Sequence, residues 1–208
     1  MQKVGLTLSK YETAKGVFDM VGDVVKTADF ISAGLSNYDV VKLCNKGYIE
    51  RIRPGFYQYP KNYDIKEETL QSKFLPRCIV CVESALFHYG YSDFAPREWT
   101  IAVPRSMSRT VKHMQIVTLK AYYIQKEYFE LGKVRDDFNG VKLAVYDRER
   151  TICDCFKYRV KLDSELFNKA INSYVVDEKK NLVNLSIYAK QMQLYKKVMD
   201  VMEVLLNG

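Results

Sequence analysis

Residues 27–59 (TADFISAGLSNYDVVKLCNKGYIERIRPGFYQY) constrain the fold most, because two glycines divide them into three short elements. Thr27 is suited to cap a short helix, Ala28 to Ala33, which Gly34 breaks. Ser36 is suited to cap a second helix, Asn37 to Lys46, with Asp39 in its first turn, where a carboxylate complements the helix dipole. Gly47 ends that helix. Tyr48 to Arg53 and Phe56 to Tyr59 then read as two strands around the turn dipeptide Pro54-Gly55. The alternation is imperfect, since Ile49 and Ile52 fall on opposite parities. Upstream, Ala14, Val17, Phe18 and Val21 recur at helical spacing and predict a helix over 10–22. Helix, helix, glycine turn, helix and hairpin, in that order, make a winged helix-turn-helix.

In that arrangement the second helix of the pair enters a major groove about 12 Å wide, with its N-terminal residues nearest the base edges. Those residues are Ser36, Asn37 and Tyr38, and an Asn side chain can pair bidentately with adenine. Lys42, one turn beyond Tyr38, and Lys46 near the end can reach phosphates. Arg51 and Arg53, two apart on one strand face, sit at the wing, and Tyr57 can donate to a phosphate. Thr27 completes the candidate set. Asp39 opposes DNA unless it caps the helix or reads a cytosine amino group. Helix-turn-helix units also serve as protein-binding modules, and that alternative stays open at this point.

Charge in bulk does not decide between them. The 208 residues carry a formal net charge of +7, but the excess is spread evenly. Up to position 80 there are 12 basic and 9 acidic residues, and beyond it 20 and 16. DNA binding must therefore be argued from where the charges sit.

Residues 61–73 read as a polar linker or a solvated helix, and a second domain starts near Leu75. It opens with a helix over 79–90 and a strand over 98–104. Further strands follow over 115–124, 133–138 and 141–146, the last two joined by the hairpin dipeptide Asn139-Gly140. Helices over 148–158, 163–175, 184–192 and 194–206 complete the chain. The expected class is α+β: a winged helix-turn-helix over 1–74, then a mixed α/β domain over 75–208 ending in a helical bundle.

Chemistry-bearing residues in the second half are few. Cys78-x-x-Cys81 and Cys153-x-Cys155 could in principle supply four thiolates to zinc. The second spacing is poor, however, and core packing is the simpler reading. His88 and His113 are isolated, so neither a metal site nor a triad is expected. Asp147 suits an N-cap with Glu149 behind it. Asp147 and Asp154 would be the residues to test for metal-dependent cleavage. Arg105, Arg109 and Lys112 form a second basic patch on a Ser-containing loop, for DNA or RNA, or simply solvated. No apolar run approaches the ~20 residues of a membrane span. The start of the chain lacks an export signal, so a cytoplasmic protein with reduced thiols is expected. No cofactor and no enzymatic activity are expected.

The run VVKTADFISAGLSNYDVVKLCNKGYIERIRPGFYQYP resembles the N-terminal domain of AbiEi-type antitoxins of type IV toxin–antitoxin systems. The similar features are the Thr before the first helix, the glycine turn, the capped second helix and the G-x-[IL]-x-R-[VI]-x-x-G-x-Y hairpin. RERTICD at 148–154 is similar to the family's E-R-T-[IL]-x-D segment. The resemblance implies a repressor of its own operon that binds promoter inverted repeats. It also implies an antitoxin countering a nucleotidyltransferase-like toxin without needing a stable complex. The competing expectations are a ligand-responsive transcriptional regulator without antitoxin activity, or a DNA-reading nuclease.

Overall fold

The computed structural model describes residues 2–60, 65–107 and 118–207. The chain folds as two compact units, Met1–Phe74 and Leu75–Gly208. The architecture is mixed α/β, with a winged helix-turn-helix first and helices at the end.

In the first unit, α1 (Gln2–Val21) precedes β1 (Val25–Lys26), α2 (Thr27–Ser32), α3 (Asn37–Asn45), β2 (Glu50–Arg53), β3 (Phe56–Gln58) and α4 (Glu67–Phe74). The predicted glycine stops have a specific geometry. Gly34 and Gly47 lie at φ +90° and +72°, in the left-handed region where a Cβ is penalised. From there the Leu35 N–H reaches the Phe30 carbonyl and the Tyr48 N–H reaches that of Leu43, both at 3.0 Å. These are the six-to-one bonds of a Schellman end, so each helix closes and reverses within two residues. The three strands form a sheet in the order β1-β3-β2, all antiparallel. Ala14, Val17, Phe18, Val25, Phe30, Leu35, Val40, Leu43, Ile49 and Tyr57 form one buried cluster.

Two expectations need correction here. Thr27 is not the cap of α2 but its first residue, and Lys26 holds the cap position. The segment read as a polar linker or a solvated helix carries α4, which is helical but not wholly solvated: Gln71 and Phe74 are buried, and Phe74 meets Phe56 edge-on, ring centroids 4.7 Å apart. Polar composition concealed that single anchoring face.

The second unit is a five-stranded mixed sheet in the order β6-β5-β4-β8-β7. Its strands are β4 (Ile79–Val80), β5 (Trp99–Pro104), β6 (Leu119–Ile124), β7 (Lys133–Phe138) and β8 (Val141–Tyr146). β5 and β6 run parallel, as do β4 and β8, while β4–β5 and β7–β8 are antiparallel. The helices are α5 (Val82–His88), α6 (Lys126–Phe129), α7 (Arg148–Lys157), α8 (Ser164–Val176), α9 (Leu182–Gln191) and α10 (Tyr195–Asn207). α7 packs against α5, α8, α9 and α10. Its Ile152, Cys153 and Cys155 share a buried cluster with Leu185, Val198 and Met202.

The helix read over 79–90 is in fact a strand followed by a helix. Ile79 and Val80 pair on both sides, with Ala102 and Ile101 of β5 and with Val145 of β8. A short apolar run buried on both faces carries no period, so the following helix absorbed it in the sequence reading.

Candidate nucleic-acid interface

α3 has one buried and one exposed side. Asp39, Val40 and Leu43 are buried, whereas Ser36, Asn37, Tyr38, Val41, Lys42, Asn45 and Lys46 are exposed. At 100° per residue the exposed positions of the helix form a continuous arc of about 180° from Asn37 through Val41, Asn45, Tyr38 and Lys42 to Lys46. Tyr38 is 72% exposed, and the Lys42 ammonium lies 5.8 Å from its ring centroid.

Asp39 resolves the one electrostatic objection from the sequence. Its backbone N–H donates to Ser36 Oγ (3.2 Å), and its carboxylate accepts from the Ser36 N–H (3.0 Å) and the Ser36 hydroxyl (2.6 Å). This is a reciprocal capping box. The same carboxylate pairs with the Lys10 ammonium of α1. The Lys10 and Ser36 hydrogen bonds hold its pKa well below the usual carboxylate range. The only acidic side chain of α3 is thus turned inward and neutralised, leaving lysines and amides on the outer arc.

The wing departs from the expected pattern. Arg51 pairs with Tyr57 and Arg53 with Phe56, so Ile52 is an extra, bulged residue. This explains why Ile49 and Ile52 are out of phase in the sequence. The bulge also places the two arginines opposite residues of alternating faces of β3, not on one face. Arg51 is exposed, whereas Arg53 is half-buried, 5.3 Å from the Phe56 ring centroid and 5.0 Å from that of Phe74. Tyr57 is buried, edge-on to Phe30 at 5.7 Å between centroids, so its ring belongs to the core. Thr27 is half-buried beside the wing tip, and its N–H donates to the Gly55 carbonyl at 3.0 Å. Ser36, Asn37, Tyr38, Lys42, Lys46 and Arg51 therefore remain outward-facing, while Arg53, Tyr57 and Thr27 fix the wing. Arg109 and Lys112 lie outside the described residues, as does His113. Arg105 opens a single 3-10 turn, Arg105–Met107.

Residues 17–60 match the family model of the AbiEi antitoxin transcriptional regulators. The resemblance read from the sequence thus stands at the winged unit, over residues 17–60. No curated protein matches the chain. A crystal structure of the RV2827C protein from Mycobacterium tuberculosis is similar with a TM-score of 0.60. The match spans 85% of this chain and 69% of that one at 16% identity, which speaks for the fold alone.

Outside residues 17–60, the RERTICD residues beyond Arg148 face inward, while Arg148 is half-buried and donates to Asp177 at 2.9 Å. Arg150 is fully buried, pairs with Asp154 at 3.2 Å, and donates to the carbonyls of Tyr128 (2.6 Å) and Leu131 (2.9 Å). Glu149 accepts from the Asn181 N–H (2.7 Å) and the Tyr174 hydroxyl (3.2 Å). Asp147 caps α7 through the Arg150 N–H (2.8 Å) and accepts from the Tyr188 hydroxyl (3.0 Å). Asp147, Glu149 and Arg150 therefore tie α7 to neighbouring loops and helices, while Asp154 pairs with Arg150 inside α7. Burial raises the thiol pKa values of Cys78, Cys81, Cys153 and Cys155, that of Cys78 to about 12, which favours neutral thiols over thiolate ligands. Among the described residues no cluster of three or more His, Cys, Asp or Glu could hold a metal ion. His88 ends α5, stacks on Phe138 at 3.9 Å between centroids, and lies 3.0 Å from Asp136. No described helix is long and apolar enough to cross a membrane.

Proposed function

We propose that the winged unit binds double-stranded DNA, with α3 in the major groove and Arg51 at the flanking phosphates. The observation that carries this reading is the outer arc of α3. It presents Asn37, Tyr38, Lys42 and Lys46, while Asp39 is internally paired. The Ser36 capping box and the Lys10 pair hold that one carboxylate off the outer arc, so no uncompensated negative charge of α3 is left there to repel phosphates. The chain acts on this reading as a repressor of its own operon at promoter inverted repeats. It also acts as the antitoxin to a nucleotidyltransferase-like toxin of a type IV system, an assignment supported by the AbiEi match over residues 17–60.

Binding to the DNA upstream of its own reading frame, compared with unrelated duplex at one fixed salt concentration, tests the first part. Equal affinity for the two would overturn the operator assignment. Lys42→Ala is expected to weaken all duplexes alike and to reduce the salt slope by about one. Asn37→Ala is expected to narrow the gap between specific and unrelated DNA. Whether the adjacent reading frame encodes a nucleotidyltransferase-like toxin, and whether co-expression of this chain relieves its toxicity, tests the antitoxin part. Growth arrest that this chain does not relieve would refute it.

A further inference from the structure

The outer arc of α3 holds two apolar side chains that the phosphate-contact account leaves unused. Val41 is 53% exposed and Tyr38 is 72% exposed, although Val40 and Leu43 on the inner side already supply the helix's core contacts. Val41 lies between two amides on the same face, Asn37 one turn before it and Asn45 one turn after. Neither amide side chain has a hydrogen-bond partner among the described residues.

We propose that this face reads A·T base pairs, with Val41 and Tyr38 packed on thymine 5-methyl groups and Asn37 or Asn45 on adenine. The inference rests on the DNA-binding reading above and names what α3 recognises there. In the major groove only thymine offers a methyl group, and only adenine offers the adjacent acceptor and donor that one Asn amide satisfies. An A·T pair therefore displays both partners side by side, as the Asn37, Val41 and Asn45 row displays an amide, an apolar group and an amide. The row spans about 12 Å along the helix, or roughly three to four base pairs at about 3.4 Å each. Lys42 and Lys46 border the row and Arg51 lies on the wing. That charge selects duplex DNA over an apolar protein surface, where lysines at the rim would gain little.

Removing the methyl group alone tests the idea. The upstream duplex is prepared with thymine or with uracil, which keeps every hydrogen-bonding edge, and the full-length protein is titrated with each at the same salt. The thymine duplex is expected to bind tighter by about fourfold for each methyl group taken out of water. Val41→Ala and Tyr38→Ala, both at exposed positions, are expected to lower that ratio while leaving thermal unfolding unchanged. Equal binding of the two duplexes, with the upstream sequence still preferred over unrelated DNA, would overturn methyl reading and leave DNA binding intact. A thymine-to-uracil ratio unchanged in both variants would also overturn it. If no duplex is preferred over another, the operator reading fails first and this inference falls with it.

Discussion

Replacing Gly132 with alanine perturbs the second unit where backbone and side chain are both fixed. Gly132 lies at φ +71°, and its carbonyl accepts the Asp147 N–H at 2.7 Å. A Cβ built there would stand 2.5 Å from Arg150 Cβ and 3.0 Å from Asp147 Oδ1. Arg150 has little freedom to withdraw. Its guanidinium is held by Asp154 and by the carbonyls of Tyr128 and Leu131, and lies 4.1 Å from the Tyr146 ring centroid. A left-handed non-glycine residue costs about 1–2 kcal/mol. Overpacking a closed site adds about 1–3 kcal/mol. Together they make roughly 2–5 kcal/mol, which at about 2–4 °C per kcal/mol lowers the melting temperature by around 10 °C. Gly140 supplies the control. It lies at φ +90°, but nothing stands within 4 Å of its virtual Cβ, so Gly140→Ala carries only the backbone cost. Calorimetry of the full-length protein and both variants gives the comparison. Gly132→Ala is expected to be the more destabilising by about 1–3 kcal/mol. Equal losses in the two variants would refute the reasoning and show that α7 yields to accommodate the methyl group.

Three other expectations follow from the same geometry. The folded-state pKa of Asp39 lies below its unfolded value of about 3.9, so its stabilisation is complete above that pH and is lost as the pH falls through the folded value. The stability gap between the wild-type protein and Asp39→Asn, measured by denaturant unfolding, should therefore close on acidification below about pH 4 and stay constant above about pH 5. Arg150→Met leaves Asp154 without its partner and should cost about 3–5 kcal/mol; adding Asp154→Leu should recover part of that, and a double variant no more stable than the single one would refute the pairing argument. Gly16 lies inside α1 with open space around its virtual Cβ, so Gly16→Ala should raise stability by about 0.5–1 kcal/mol in thermal or denaturant unfolding.

The winged unit was largely legible in the sequence because its punctuation is local. Gly34, Gly47, the Ser36–Asp39 box and Pro54-Gly55 each act over a few residues, and the structure uses them at those positions. What was not legible depends on partners distant in sequence. The pairing of Ile79 and Val80 with strands at 101–102 and 145 leaves no local period. Phe74 draws Arg53 toward the protein from more than twenty residues away. Asp39 could be read as a cap, but its pairing with Lys10, 29 residues earlier, could not. The bulge at Ile52 did leave a trace, the phase slip between Ile49 and Ile52, and that slip is the signal from which the separation of Arg51 and Arg53 could have been read.

The bond from the Thr27 N–H to the Gly55 carbonyl joins the tip of the hairpin to the start of α2. Pro54 and Gly55 make a loop of only two residues, closed at its base by the Arg53–Phe56 pair. Such a tip is a fixed tooth rather than a swinging arm. On the proposed docking to a duplex, this loop has little entropy to lose, and the distance from tip to α3 is set before contact. On that same proposal, tolerance for variation in the DNA site should be governed by how readily the DNA bends, since the short loop and the helix have little room to adjust to each other.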